Sequence, residues 1–166
     1  YVLVWYISYG SNMAAARLAC YLSGGCPAGG RHVNPGARDS TAPRASMSVV
    51  LPGSVYFAGE ARSWGGGRAY YDPDAAGAVA ARAFLVTQEQ FEDIRAQEPA
   101  CYDRLLTVGS RDGAVMCTFT TQAGGADLTR AAPAPAYLAT IADGLREAHG
   151  WDEKRVANYL LRLRES

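Results

Sequence analysis

The sequence has 166 residues, 49% of them apolar and 19% charged, with sixteen basic side chains balanced by sixteen acidic ones. That size and composition suit a single globular domain over residues 1–166 with one sizeable core. The even balance lacks the basic field expected of a nucleic-acid or anionic-membrane binder. The opening apolar run is too short to span a bilayer and has no basic region ahead of it.

The chain opens on a strand-like run, Val2-Leu3-Val4-Trp5-Tyr6-Ile7, that stops at Ser8-Tyr9-Gly10-Ser11-Asn12. From Met13 to Ser23 the apolar residues Met13, Ala16, Leu18, Tyr21 and Leu22 keep helical spacing, and Gly24-Gly25 ends the helix. A strand that turns directly into a helix leaves backbone N–H groups unpaired at the turn. Two readings follow. Ser11 or Asn12 caps an ordinary connection, or the turn receives a carboxylate or polarised carbonyl oxygen.

Residues 26–45, rich in proline and arginine, read as a long irregular loop. Residues 46–58 read as strand, bend at Pro52-Gly53, strand. The stretch Ser63-Trp64-Gly65-Gly66-Gly67 is a turn in which backbone or ligand approaches closely, or a plain flexible turn. Asp72-Pro73-Asp74 with Gly77 predicts a hairpin turn leading into a strand over 78–86.

Thr87 and Gln90 match a capping box that opens a short helix through Phe91 and Ile94, ended by Pro99. Residues 105–108 and 114–121 predict a hairpin around Asp112-Gly113. Ala123-Gly124-Gly125 leads to Pro133-Ala134-Pro135, and two helices, 136–148 and 152–164, finish the chain. The order predicts an α+β fold with a small, mainly antiparallel β-barrel and surrounding helices.

Four cysteines, Cys20, Cys26, Cys101 and Cys117, are spaced too irregularly for a zinc site and read as free, mostly buried thiols. The two histidines, His32 and His149, lie in no metal-ligand spacing, which argues against a zinc hydrolase or deacylase. They also leave Cys101 and Cys117 without an obvious base for nucleophilic catalysis.

Among the carboxylates Glu98 stands out, at the C-terminal end of the short helix, where the dipole raises a carboxyl pKa. In an apolar setting it could serve as general base and acid; the alternative is a solvated surface glutamate. Glu60 is a second candidate, with a strand-end surface charge as its alternative. Tyr9, Tyr102 and Tyr137 could supply hydroxyl hydrogen bonds, or only packing.

Taken together, these stretches resemble the γ-glutamylcyclotransferase-like family. Tyr9-Gly10-Ser11-Asn12-Met13 is similar to the family's Y-G-S-N-[LM] loop after the first strand. Trp64-x-Gly66-Gly67-x-Ala69 is similar to its W-x-G-G-x-A element, and Gln97-Glu98 sits where the family places its catalytic glutamate. Pro135-x-Tyr137 is similar to its late P-x-Y segment. Two departures stand out: Pro99 follows Glu98 where the family has glycine, and the loop from Cys26 to Arg44 has no place in the pattern.

The resemblance implies a cofactor-free and metal-free enzyme in which the substrate's own α-amine cleaves a γ-glutamyl amide, releasing 5-oxoproline and a free amine or amino acid. Glu98 would be catalytic. Tyr9, Gly10, Ser11, Asn12, Met13, Gly66, Gly67, Tyr102 and Tyr137 would bind substrate. The expected partner is a small γ-glutamyl molecule, with no nucleic acid or membrane, for a cytoplasmic monomer or homodimer. The composition is compatible with a biosynthetic setting. The rival reading is a non-catalytic module that binds an amino-acid-like ligand in the same cavity.

Overall fold

The structure, a computed structural model, describes residues 2–122 and 128–165. The opening apolar run forms β1 (Leu3–Ser8), and both faces of this strand are covered, which is why it reads as a near-continuous hydrophobic stretch. Trp5 and Ile7 face one core cluster while Val4 and Tyr6 face another. This is the two-residue alternation of a strand.

Strand β1 lies centrally in a five-stranded sheet with β2 (Ala45–Pro52), β5 (Ala78–Thr87), β6 (Arg104–Arg111) and β7 (Ala114–Thr120), in the order β2-β5-β1-β7-β6. All neighbours are antiparallel except the parallel pair β1–β7. A separate antiparallel ribbon pairs β3 (Ser54–Ala58) with β4 (Arg68–Asp72). The α+β, mainly antiparallel character is as the sequence predicts.

Among the described residues the strands do not close into a barrel by backbone pairing. Where the ribbon meets the main sheet, the Thr120 hydroxyl accepts from the Tyr71 N–H at 3.0 Å and donates to the Tyr71 carbonyl at 2.8 Å. A side chain there replaces the ladder. Gly53, at φ +120°, turns the chain from β2 into β3 and so from sheet to ribbon.

Two expectations need correction. Residues 69–71, for which the sequence predicts no strand, belong to β4. The turn over Asp72–Gly77 joins β4 to β5, which lie in different sheets, so it is no hairpin. Turn chemistry reports a reversal of direction and carries nothing about whether the flanking strands pair.

The four α-helices among the described residues are α1 (Ala15–Ser23), α2 (Gln88–Gln97), α3 (Pro135–His149) and α4 (Glu153–Arg164). The capping box at Thr87 and Gln90 is present, with reciprocal bonds of 3.0 Å. Helices α1 and α2 cover the Tyr6 face of the sheet, and α3 and α4 cover the Trp5 face. The Ala123-Gly124-Gly125 link lies outside the described residues. Among those described, no helix is long and apolar enough to cross a membrane. The cysteines are free, Cys20 and Cys117 buried, Cys101 half-buried, and Cys26 exposed against expectation.

Candidate active site

The sheet ends at a cleft. The turn after β1 forms a short 3-10 helix over Ser11–Met13 with Gly10 ahead of it, and no side chain caps either this turn or α1. Neither Ser11 nor Asn12 therefore acts as an N-cap. The cleft beside the turn holds a cavity of about 80 Å³ and is open to solvent at its mouth. Tyr9, Gly10, Ser11, Asn12, Glu98, Tyr102 and Tyr137 all line it.

Glu98 reaches the cleft because of its neighbour. A residue before proline is pushed out of the helical region, and Glu98, ending α2 ahead of Pro99, is extended at φ −79° and ψ 153°. The departure from the family's glycine thus has a local role. Glu98 is the one carboxylate among the described residues lining this cleft.

Its environment works in two directions. Burial of the carboxyl raises its pKa above the ordinary 4.5, while a hydrogen bond from Tyr21 and the charges of Arg17, Arg62 and Arg68 pull it back. Burial dominates. The residue as a whole is half-buried. The facing hydroxyls of Tyr6, Tyr9, Tyr102 and Tyr137 are all pushed up by burial and stay protonated.

Three of these tyrosines build the walls by bonding backbone. Tyr137 accepts from the Ala69 N–H at 3.1 Å, and Tyr102 donates to the Ala69 carbonyl at 2.8 Å, so both hold the same residue of β4. Tyr9 donates to the Phe119 carbonyl at 2.8 Å. Accepting from Ala69 leaves the Tyr137 hydroxyl proton for another acceptor.

The wall around Glu98 comes from residues the sequence reading passed over. Arg17, 5% exposed, donates to Asn34 Oδ1 at 2.9 Å and to the Tyr21 hydroxyl at 3.3 Å, with its guanidinium 4.5 Å over the Tyr21 ring. One signal was available: Arg17 interrupts an otherwise apolar helix and sits four residues before Tyr21, the spacing that places both on one face. Arg62, Arg68, Trp64 and His32 complete this wall.

Three buried side-chain atoms have no hydrogen-bond partner among the described residues, Asn12 Oδ1, Arg17 Nε and Arg68 Nε. All three residues line the cleft. Buried polar atoms are ordinarily paired, so an orphaned acceptor and two orphaned donors at one cleft suit a polar ligand.

Three expected binding residues stand elsewhere. Met13 is fully buried in the core, and its carbonyl accepts from Arg82 at 2.9 Å. Gly66 and Gly67 pack against the 131–134 segment rather than the cleft. The Gly67 N–H donates to the Ala132 carbonyl at 2.9 Å, and a Cβ on Gly66 would meet that oxygen at 2.6 Å. The glycines are required there by close approach of backbone, not of ligand. Glu60 is exposed and lines an adjoining groove instead.

The cysteines form no pair with histidine. Cys101 Sγ lies 3.1 Å from both Arg68 and the Tyr70 hydroxyl, Cys117 lies beside Thr107, and His149 Nε2 is 2.9 Å from the Ala81 carbonyl. No cluster of three or more histidine, cysteine or acidic groups among the described residues could hold a metal ion.

No family model matches this chain. Over 99 residues, 57% of the chain, it is 35% identical to Histone deacetylase 5 of Arabidopsis thaliana, and the match covers 15% of that protein's length. The deacetylase of that name is a property of the whole plant protein.

Solved structures match far more completely. A gamma-glutamyl cyclotransferase superposes over 95% of this chain and 86% of its own, with a TM-score of 0.67 at 14% identity. An uncharacterized human protein matches over 96% and 88%, at TM-score 0.65 and 15% identity. YkqA from Bacillus subtilis matches over 99% of this chain and 55% of its own, at TM-score 0.60 and 18% identity. The chain therefore has the γ-glutamylcyclotransferase-like fold.

Proposed function

We propose that the protein cleaves a γ-glutamyl amide through intramolecular attack by the substrate's α-amine, releasing 5-oxoproline and the free amine or amino acid. The observation that carries this reading is the meeting, in one cleft, of a single desolvated carboxylate, Glu98, with the uncapped turn Tyr9–Asn12.

In this reading the turn and the orphaned Asn12 oxygen hold the glutamyl head, with the carbonyl oxygen directed to the free N–H groups of Ser11 and Asn12. Donors fixed where negative charge develops stabilise the tetrahedral intermediate without reorganising. Tyr137 has a hydroxyl proton to add to that set.

Glu98 takes a proton from the α-ammonium, and the freed amine attacks the γ-carbonyl carbon. A carbon–nitrogen bond forms to close the five-membered lactam, and the bond to the departing nitrogen breaks. Of the three ammonium protons one stays on the lactam nitrogen, and the other two end on the departing amine, the first delivered by Glu98. A carboxyl raised by burial suits both halves of this exchange. Nucleophile and electrophile belong to one molecule, so the protein need only fold the substrate onto itself.

The test is direct. A panel of γ-glutamyl amines and γ-glutamyl amino acids is incubated with the protein and assayed for 5-oxoproline. Release from at least one member supports the reading; binding without release across the panel would transfer the cleft to a ligand-sensing role.

A further inference from the structure

The cleft does not end at Glu98. Its mouth continues into a shallow groove lined by Arg31, Glu60, Ala61, Arg62 and Arg68, and Ala61, Arg62 and Arg68 line both spaces. Three guanidinium groups thus meet one carboxylate in the groove, and Arg17 adds a further cation in the cleft. None of these four arginines forms a salt bridge among the described residues, although Arg38, Arg82, Arg111 and Arg146 all do.

The bonds they do make leave donors over. Arg62 gives one nitrogen to the Gln97 carbonyl at 2.8 Å, and Arg68 gives one to the Tyr70 hydroxyl and Cys101. Arg68 Nε is buried without a partner. The same positive field reaches His32, whose pKa is lowered by burial and then by Arg62 and Arg17. Guanidinium groups bind carboxylate and phosphate oxygens through paired donors.

We infer that this groove is an anion-recognising subsite, built by Arg31, Arg62 and Arg68, for the part of the substrate that departs with the amine. The inference rests on the cyclotransferase reading for the identity of that part. With the glutamyl head held by the turn, the departing group can reach the groove across Ala61, Arg62 and Arg68, which line both spaces. A plain alkylamine or a cationic polyamine would leave the groove uncompensated. A departing group with a carboxylate or phosphate within a few bonds of the amide nitrogen would fill it.

Four compounds of similar size separate the outcomes: γ-glutamyl-alanine, the γ-glutamyl conjugate of aminoethyl phosphate, γ-glutamyl-alaninamide and γ-glutamyl-propylamine. Binding is measured by calorimetry on the full chain, and turnover by 5-oxoproline release. At least one anionic compound should bind tenfold or more tighter than both neutral ones, and added salt should shrink that ratio. The carboxylate and phosphate arms show which anion fits.

The Arg31→Gln, Arg62→Gln double variant changes two exposed side chains and should bring the ratio of anionic to neutral compounds close to one. Equal binding of anionic and neutral compounds by the native protein would overturn the inference, as would equal losses for both classes in the double variant. Absence of 5-oxoproline with the anion preference intact would retire the cyclotransferase reading and leave the subsite standing.

Discussion

The Asn34 side-chain amide donates to Gln97 Oε1 at 3.2 Å, and so joins the long proline- and arginine-rich loop to the residue beside Glu98. Gln97 is committed on every side. Its oxygen also accepts from the Gly36 N–H at 3.3 Å, and its nitrogen donates to the carbonyls of Tyr21 at 2.8 Å and Asp93 at 3.0 Å. Asn34 in turn receives Arg17. The loop, helix α1 and the end of helix α2 are fastened around one glutamine.

Removing that glutamine side chain strands several partly buried groups at once. An unpaired buried group costs about 1–3 kcal/mol, so Gln97→Ala should lower the unfolding free energy by at least that amount. Chemical denaturation reads the loss. Turnover should fall with it, because Glu98 loses its fixed base.

The protonation of Glu98 sets the acid side of the activity profile. Its pKa is raised by burial and restrained by Tyr21 and Arg17, so kcat/KM should rise with pH above the ordinary carboxylate range. Tyr21→Phe removes a hydrogen bond that favours the charged form, and the rise should move to higher pH. A purely structural role for Tyr21 would lower the melting temperature and leave the position of that rise unchanged.

The same carboxyl links stability to pH. A group whose folded pKa is raised contributes its stability below the unfolded value, here 4.5, and loses it as pH climbs through the folded value. Glu98→Gln lacks that titration. The variant should therefore gain stability relative to the native protein as pH rises through this window, with the difference flat below it. Thermal melts across pH 4 to 8 follow the divergence.

Gly144 on α3 is where that helix touches the binding turn. A Cβ at this position would meet the Ala14 nitrogen and the Met13 carbonyl carbon, each at 2.7 Å. Backbone cannot move aside cheaply. Helix propensity favours alanine over glycine by roughly 1 kcal/mol, but overpacking of this kind costs about 1–3 kcal/mol. Gly144→Ala should thus be destabilising on balance, and should weaken ligand binding by displacing the turn that ends at Met13.

Much of the fold was legible because local and tertiary signals agreed. The apolar run of β1, the capping box at Thr87 and Gln90 and the Gly24-Gly25 stop each name their element from nearby residues alone. Strand β4 was not legible, since its short apolar stretch follows three glycines and pairs only with β3. The ribbon's attachment through Thr120 was equally hidden, because one threonine hydroxyl replaces a ladder no pattern announces.

The site divides along similar lines. The turn and Glu98 carry recognisable local motifs. Arg17 and Tyr21 come from α1, Arg68 from β4 and Arg62 from the segment before it, and only the fold brings them to one wall. Gly66 and Gly67 misled for the opposite reason: a glycine pair marks close approach by some backbone or ligand without saying which, and here it is the backbone of residues 131–134.

The central claim is that Glu98 moves the protons while the Tyr9–Asn12 turn holds the glutamyl head. The decisive measurement is 5-oxoproline release by Glu98→Gln, alongside calorimetric binding of the same γ-glutamyl compound. Positioned acid–base groups contribute about 10²–10⁴-fold, so the account predicts a loss of at least a hundredfold in kcat with binding retained within a few-fold. Native rates of release from the Glu98→Gln protein would contradict it.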